Sequence, residues 1–220
     1  RCIAPSEAGR GRRNGGRGTG MNLPEALAGQ IDVSRETMDR LTAYVALVEK
    51  WQQRVNLVSA STLPDIWMRH IWDSAQLAPL VPASTGRILD VGSGAGFPGL
   101  VLAALCDAEL HLVESDQKKA VFLQTVIRET GIRAIVHDKR IEFLPPIGAD
   151  IVTARALASL DRLFELLEAQ LVPGMRCLFL KGARAEAELA ALDTRSDIIR
   201  RLHPSLTNPE AFVVDLTVTS

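Results

Sequence analysis

The chain is poor in cysteine and in aromatic residues. Only three of its 220 residues are cysteines, Cys2, Cys106 and Cys177, and aromatic side chains make up 5% of the total. An odd number of widely spaced cysteines argues against a disulfide framework or a structural zinc site. We therefore expect a cytoplasmic protein from a reducing compartment, in which Cys106 and Cys177 act as small core residues within apolar runs.

Long hydrophobic runs are also absent. Although 47% of the residues are hydrophobic, no apolar run approaches the roughly 20 residues that span a bilayer, so we predict no membrane segment. This hydrophobic content, in a chain of this length, is sufficient for one full core. The composition indicates a single domain with a small extension, and we expect a monomer.

The first twenty residues differ from the rest of the chain. They contain five arginines, six glycines and almost no large apolar side chains, so we predict a disordered basic extension over residues 1–20. A basic RNA-binding arm is one interpretation; the one we favour is an upstream or vector-derived extension before a natural start at Met21. The extension carries a net charge of +4, which leaves −5 on residues 21–220. Any contact with nucleic acid must therefore use a local basic patch.

The most informative stretch is Arg87–Gly99, with the sequence RILDVGSGAGFPG. A buried strand over residues 88–91 leads into a loop with four glycines in eight residues, and Pro98 then begins a helix. Glycines adopt positive φ and let backbone amides approach a ligand closely. Such loops, at the carboxyl end of a first parallel strand, hold nucleotide-like cofactors. A tight turn without a ligand is the alternative, but it would not require so many glycines.

Two glycine spacings compete in this loop. The last three glycines satisfy G-x-G-x-x-G, the dinucleotide fingerprint, but in that pattern the first glycine follows the strand directly, and here that residue is Gly92. Pro98 also removes an amide where a phosphate needs a donor. The other spacing, Asp90-x-Gly92-x-Gly94-x-Gly96, is similar to motif I of the S-adenosylmethionine (SAM)-dependent methyltransferases. Because SAM carries no phosphate, we favour SAM as the cofactor.

Strands and helices alternate after this loop, as in a doubly wound α/β sheet. Further strands are predicted over residues 110–114, 134–137, 150–154, 177–180, 198–202 and 212–218. Helices are predicted over residues 117–130 and after an N-cap at Ser159. Ahead of the sheet, one helix follows an N-cap at Ser34 and a second runs from about Pro64 to Pro79. We therefore divide the chain into the extension 1–20, a helical cap over 21–82 and the main domain over 83–220.

Polar residues at two strand ends are candidates for binding an adenosine cofactor. Glu114 ends the second strand, where its carboxylate can accept hydrogen bonds from both ribose hydroxyls. Ile141 and Glu142 follow the third strand, where their backbone amides can read an adenine edge. For Glu114 the alternative is a solvated acid, and for Glu142 it is an acid at a helix start.

The predicted second helix of the cap carries Arg69, His70 and Asp73. Their spacing is typical either of a polar cluster that lines a substrate cleft or of a surface ion pair beside a hydrogen-bonded histidine. A third ligand is not in evidence, so we predict no metal site. Trp67 and Trp72 lie on the same segment; we favour core packing for them over a stacking surface for RNA.

Five short motifs occur in order along the chain: Asn56-Leu57-Val58, Arg69-His70-Ile71-x-Asp73-Ser74, the Gly92–Gly99 loop, Thr153-Ala154-Arg155-Ala156-x-Ala158-Ser159-Leu160 and Leu180-Lys181-Gly182. With these motifs, residues 22–220 resemble the bacterial 16S ribosomal RNA guanine-N7 methyltransferases of the small subunit, the glucose-inhibited division protein B family. The resemblance implies a Rossmann-like SAM-dependent methyltransferase fold. That fold has a seven-stranded, mostly parallel sheet with an antiparallel last strand, helices on both faces and a helical N-terminal extension. It also implies cofactor contacts from Gly92, Phe97, Ile141, Glu142 and Arg155.

Two devices of other base methyltransferases are missing from the sequence. Methylation of a pyrimidine carbon needs a thiolate, but Cys106 lies on the helix after the loop and Cys177 lies within a strand. Exocyclic amines are usually methylated with an Asn/Asp-Pro-Pro-aromatic motif after the fourth strand, where this chain has Thr153-Ala154-Arg155. Guanine N7 has an in-plane lone pair and no proton, so it needs no general base, and catalysis reduces to positioning and electrostatics.

No residue is assigned to chemistry with certainty, but three are candidates for positioning: Arg155, Lys181 and His70. We expect Arg155 to contact the cofactor carboxylate, or RNA phosphate and guanine O6. We expect 16S rRNA or the small ribosomal subunit as partner, bound through Arg69, His70, Lys181 and Arg184. The alternatives are a methyltransferase for a small molecule or protein, and a non-catalytic nucleotide-binding module.

Overall fold

A computed structural model describes residues 21–192 and 196–219, so the disorder predicted for residues 1–20 lies outside the described residues. Helix α1, Arg35–Gln52, begins at the predicted N-cap, where the Ser34 hydroxyl accepts a hydrogen bond from the Thr37 amide at 3.1 Å. Its buried residues recur at helical spacing because only one face of α1 meets the rest of the protein.

The second part of the cap is less regular than predicted. Instead of one helix over 64–79, the structure has a 3-10 turn at Leu63–Asp65, a π-helical segment at Trp67–Trp72, the short helix α2 at Asp73–Ala75 and a 3-10 turn at Ala78–Leu80. The single-helix prediction is therefore wrong. Four of the six residues of the π-helical segment are buried. An amphipathic α-helix buries only one stripe of its surface, which would be fewer residues. The wider turn of a π-helix changes the direction of successive side chains and allows more of them to face the core.

Seven strands form one sheet, as the resemblance implies. They are β1 Arg87–Val91, β2 Glu109–Glu114, β3 Ile135–Asp138, β4 Ile151–Arg155, β5 Arg176–Lys181, β6 Ile198–Pro204 and β7 Phe212–Val218. Their order is β3-β2-β1-β4-β5-β7-β6, and β7 is antiparallel to both of its neighbours. The strand order reverses between β1 and β4, so the carboxyl end of β1 faces the crevice in which such sheets bind ligands.

Four helices connect the strands: α3 Gly99–Leu105, α4 Gln117–Thr130, α5 Leu160–Leu167 and α6 Ala185–Ala190. Helix α4 ends at Gly131 with a φ of 68°, as predicted. Ser159 occupies the N-cap position of α5, but its side chain makes no capping hydrogen bond. A carboxylate oxygen of Glu188 on α6 accepts from the Leu160 amide at 3.1 Å and takes over this role.

The cap packs directly on one face of the sheet. Residues of α1 and the π-helical segment share a core with α3 and α4, and the Trp51 and Phe122 rings meet edge to face at 5.6 Å. Trp67 and Trp72 are buried in this core, as favoured from the sequence, and so are not available to stack on RNA. Cys106 and Cys177 are buried as predicted, and burial raises the pKa of the Cys177 thiol to about 12. No helix within the described ranges is long and apolar enough to cross a membrane.

Candidate functional site

A cavity of about 980 Å³ lies where the carboxyl ends of β1, β4 and β5 meet the cap. It brings together most of the residues predicted from the sequence: Gly92, Gly94, Phe97 and Arg155 for the cofactor, and Arg69, His70, Lys181 and Arg184 for RNA. Four predicted cofactor residues do not line this cavity: Gly96, Glu114, Ile141 and Glu142. The loop between β6 and β7 supplies further lining, which the sequence did not indicate, from Ser205, Thr207 and Asn208.

The glycine loop has the backbone geometry that its sequence predicts. Gly92, Gly94 and Gly96 take φ values of 66°, 57° and 94°, a region that favours glycine. A Cβ on Gly92 would lie 2.6 Å from the Leu157 side chain, and a Cβ on Gly96 would lie 2.4 Å from that of Leu100. Gly92, on the cavity floor, therefore permits close approach of the Leu157 side chain, whereas Gly96 is buried and permits close packing of the loop on α3.

Glu114 holds the glycine loop from the neighbouring strand. One of its carboxylate oxygens accepts from the Gly94 amide at 2.8 Å, and the other accepts from the Asp116 amide at 2.7 Å. Each oxygen has a second lone pair, so the carboxylate retains the capacity to accept from ribose hydroxyls. The structure thus gives Glu114 a supporting contact with the loop that the sequence reasoning missed.

Ile141 and Glu142 lie on a short 3-10 turn after β3 at the same sheet edge. Ile141 packs in the core shared with α5. Glu142 is exposed and pairs with Arg140 at 3.1 Å. Backbone hydrogen bonding and Arg140 hold the pKa of the Glu142 carboxyl below its usual value. The turn is therefore a fixed backbone surface with a carboxylate that stays ionised.

Arg155, the last residue of β4, points under the cap. Its guanidinium carbon lies 5.0 Å from the centre of the Phe97 ring, and one of its terminal nitrogens donates to the Arg69 carbonyl oxygen at 3.1 Å. The same nitrogen is 3.7 Å from a carboxylate oxygen of Asp73. Burial lowers the pKa of Arg155, and Asp73 acts against that shift. A guanidinium has five N–H donors, so this one can still serve a ligand.

Asp73 joins three parts of the site. Its other carboxylate oxygen accepts from the Thr207 hydroxyl at 2.7 Å and from the Gln76 side-chain amide at 2.9 Å. The i,i+4 spacing from Arg69 suggested a surface pair, but the ion pair that the structure shows is with Arg155. The wider π turn changes the angular spacing along this segment, so an α-helical rule does not apply to it.

His70 is buried and neutral. Its ring stacks on Phe97 with centroids 5.0 Å apart, and Nε2 lies 2.8 Å from the Thr62 hydroxyl. That hydroxyl also lies 2.9 Å from the Ser59 carbonyl oxygen, so it can donate there while it accepts from Nε2. Burial first, and then the nearby charge of Arg155, lowers the pKa of His70 to about 3. His70 thus adds no positive charge to the cavity at neutral pH.

Lys181 is less free than a candidate RNA contact would be. Its ammonium donates to the Ala158 carbonyl and to a Glu188 carboxylate oxygen, the latter at 2.8 Å. Ala156, in the same loop after β4, has a φ of 52°, which is strained for a non-glycine residue. Lys181 therefore holds this turned loop against the end of β5. Arg69 and Arg184 are exposed at the cavity rim.

Asp90 is a buried carboxyl directly below the glycine loop. One of its oxygens accepts from the Thr153 hydroxyl at 2.7 Å, and the other is buried without a hydrogen-bond partner among the described residues. Burial raises the pKa of Asp90 to about 6. The sequence signal was its place at the head of the glycine motif, but that reasoning did not count it among the site residues. Over the described ranges, no cluster of three or more His, Cys, Asp or Glu residues could hold a metal ion.

Comparisons with known proteins agree with this geometry. Residues 37–207 match the model of the GidB family, rRNA small subunit methyltransferase G. The protein of that name from Paramagnetospirillum magneticum is 50% identical over 197 residues, which are 90% of this chain and 96% of the relative. The one from Rhodospirillum rubrum is 46% identical over 191 residues, covering 87% and 95%.

A solved structure supports the fold assignment. Magnesium protoporphyrin IX methyltransferase from Synechocystis PCC 6803, solved with bound SAM, superposes with a TM-score of 0.56. The alignment covers 86% of this chain and 99% of that one at 14% identity, so it bears on the fold alone. The predicted methyltransferase fold is confirmed. The chain belongs to the family of rRNA small subunit methyltransferase G, which confirms the resemblance and the enzyme class inferred from the sequence.

Proposed function

We propose that this protein transfers a methyl group from SAM to N7 of a guanine in 16S rRNA of the small ribosomal subunit. The observation that carries the proposal is the single cavity that joins the floor at Gly92 to the guanidinium of Arg155, beneath a rim with Arg69 and Arg184. A cofactor loop and cationic groups for RNA thus face the same space. The relatives named above are named as methyltransferases of small-subunit ribosomal RNA.

The residues present suit the cofactor. A Cβ on Gly94 would meet no side chain, so the loop is open to a ligand there, and Gly92 and Gly96 set the path of the loop. Glu114 supports the loop with a carboxylate suited to ribose hydroxyls, and Ile141 and Glu142 provide the turn for an adenine edge. Phe97 and Arg155 form the wall beside the floor. When bound, SAM supplies a methyl group activated by a positively charged sulfur.

The acceptor follows from what surrounds the cavity. Cys177 is buried in β5 with a raised thiol pKa, so it is not a nucleophile. Burial and the charge of Arg155 lower the pKa of His70 to about 3, so its imidazole is too weak a base to take a proton from the acceptor. The residues around the cavity therefore favour an acceptor that needs no general base, and guanine N7 is such an atom. The protein's contribution is to orient the base and to balance charge.

The RNA contacts are assigned to the exposed arginines at the rim, Arg69 and Arg184, with His70 and Lys181 behind them. The folded part of the chain is mildly acidic, so this local patch, rather than net charge, directs RNA to the cavity. We place the protein in the cytoplasm, with the small subunit or its rRNA, and expect it to act as a monomer.

Mass spectrometry of 16S rRNA tests the proposal. Cells that lack this protein should lose one 7-methylguanosine from the small-subunit rRNA, and a plasmid-borne copy should restore it. All other modified nucleosides serve as internal controls. An unchanged 7-methylguanosine content in the deletion strain would overturn the proposed acceptor.

A further inference from the structure

Asp73 is the acidic residue that faces Arg155 across the cavity. Both side chains are 18% exposed, and the nearest nitrogen and oxygen atoms are 3.7 Å apart. This distance is within the range of an ion pair but too long for a hydrogen bond. Asp73 thus attracts the guanidinium without saturating its donors, which keeps Arg155 over the Phe97 ring.

The same carboxylate fixes the loop between β6 and β7. Thr207 donates its hydroxyl to Asp73, and Gln76 donates its side-chain amide to the same oxygen. Gln76 in turn accepts from the Leu206 amide at 2.9 Å. The cap, β4 and this loop therefore meet at one carboxylate, and each of the three contributes lining to the cavity.

The charge of Asp73 matters because of the reaction. Methyl transfer to a neutral ring nitrogen moves a positive charge onto the acceptor base, and an uncompensated guanidinium nearby opposes that movement. A free guanidinium would, however, favour binding of the anionic RNA backbone. Removal of the Asp73 charge should therefore act on binding and on turnover in opposite directions.

We infer that Asp73 is a positioning and charge-balancing residue, which holds Arg155 in place and offsets its positive charge so that the acceptor base can become cationic. This inference rests on the proposed function. It adds a role for a carboxylate that lines the cavity beside Arg155.

The test compares the D73N variant with two controls. D73N keeps an oxygen that can accept from Thr207 but removes the negative charge beside Arg155. T207V keeps the charge and removes the loop hydroxyl. D65N removes an exposed carboxylate from the same cap, away from the cavity, and reports the effect of net charge alone. All three are assayed with small-subunit rRNA for kcat, for KM and for the cofactor-free RNA Kd across a salt series.

We expect D73N to lower kcat at least tenfold while it tightens cofactor-free RNA binding at low salt. The slope of log Kd against log salt concentration should become steeper by up to about one, the release of one further counterion. D65N should leave kcat unchanged and shift the RNA Kd less than D73N does. T207V should keep the wild-type salt dependence. A charge-conserving D73E variant should bind RNA with the wild-type salt dependence.

Two results distinguish failure of the inference about Asp73 from failure of the proposed function. If D73N binds RNA more weakly than wild type, with wild-type salt dependence, then Asp73 acts only through structure and the inference is overturned. If wild-type protein binds small-subunit rRNA but does not methylate it, the proposed function is wrong. A fall in kcat together with tighter RNA binding is the signature that a merely structural role would not produce, since local disorder lowers kcat and weakens binding.

Discussion

Two arginine–aspartate pairs lie at opposite ends of the strands in the same sheet, and they differ in geometry. At the start of β5, Arg176 makes two hydrogen bonds of 2.7 Å to the two carboxylate oxygens of Asp215. At the end of β4, Arg155 approaches Asp73 only to 3.7 Å. The first is a bidentate pair of the kind that fixes structure. The second leaves most of its hydrogen-bonding capacity open.

The pKa values of the two arginines shift in opposite directions. The hydrogen bonds that Arg176 donates to Asp215 raise the pKa of Arg176, whereas burial lowers the pKa of Arg155 and Asp73 only partly compensates. A guanidinium held away from its counterion in a cavity is destabilised as an ion and is stabilised by an anionic ligand. The same pair of residue types thus fixes structure at one end of the strands, whereas at the other it leaves open the donors that we propose serve a ligand.

The largest effect on stability is expected at the tight pair. The Arg176→Ala variant leaves the fully buried Asp215 carboxylate with the His203 imidazole, at 3.2 Å, as its remaining partner, so the free energy of unfolding should fall by about 3 kcal/mol, the lower end for a broken buried pair. Urea denaturation measures this free energy of unfolding. A loss below about 1 kcal/mol would contradict the structural role of the pair. The fraction of the Arg176→Ala variant that remains folded should keep a near-normal KM for rRNA, because Arg176 lies away from the cavity.

The Arg155–Asp73 pair should affect activity more than stability. The Arg155→Ala variant should lower kcat/KM for rRNA methylation by about 100-fold, the effect of losing one charged hydrogen-bonding contact to the cofactor carboxylate or to RNA. Its unfolding free energy should fall by less than that of Arg176→Ala, since Asp73 keeps its bonds to Thr207 and Gln76. Unchanged SAM affinity together with unchanged methylation would show that Arg155 has no role in the site.

Asp90 offers a third environment, a carboxyl whose described partner is a hydroxyl rather than a guanidinium. Because its folded pKa of about 6 lies above the unfolded value, the folded state holds the proton more tightly, and this contribution to stability is lost as pH rises through 6. The Asp90→Asn variant lacks that loss. Its unfolding free energy, relative to wild type, should therefore rise by about 2 kcal/mol between pH 4.5 and 7.5.

Parallel denaturation series of the two proteins give this difference. The comparison with wild type cancels the contributions of all other titrating groups, which the two proteins share. A constant difference across the pH range would mean that Asp90 titrates near its ordinary value and is solvated or paired in solution.

Local patterns in the sequence were sufficient to predict the architecture. The caps at Ser34 and Gly131 depend on contacts with residues at most four positions away, so they follow from the sequence. The apolar strand before Gly92 is likewise evident from a short run of residues. Residues 63–80 did not follow, because the helix type there depends on how the two tryptophans pack into a core formed by distant segments. Ser159 failed as a side-chain cap for a similar reason, since Glu188 on a later helix supplies the acceptor.

The sequence by itself determined the family, the sheet, the glycine loop and the side chains available at the strand ends. Only the tertiary structure decided how those side chains are paired: Arg155 with Asp73, Lys181 with Glu188, and Glu114 with the Gly94 amide. The physical reason is that conformational preferences are local, whereas the charge and the open hydrogen-bonding capacity of a side chain depend on the groups that folding brings beside it.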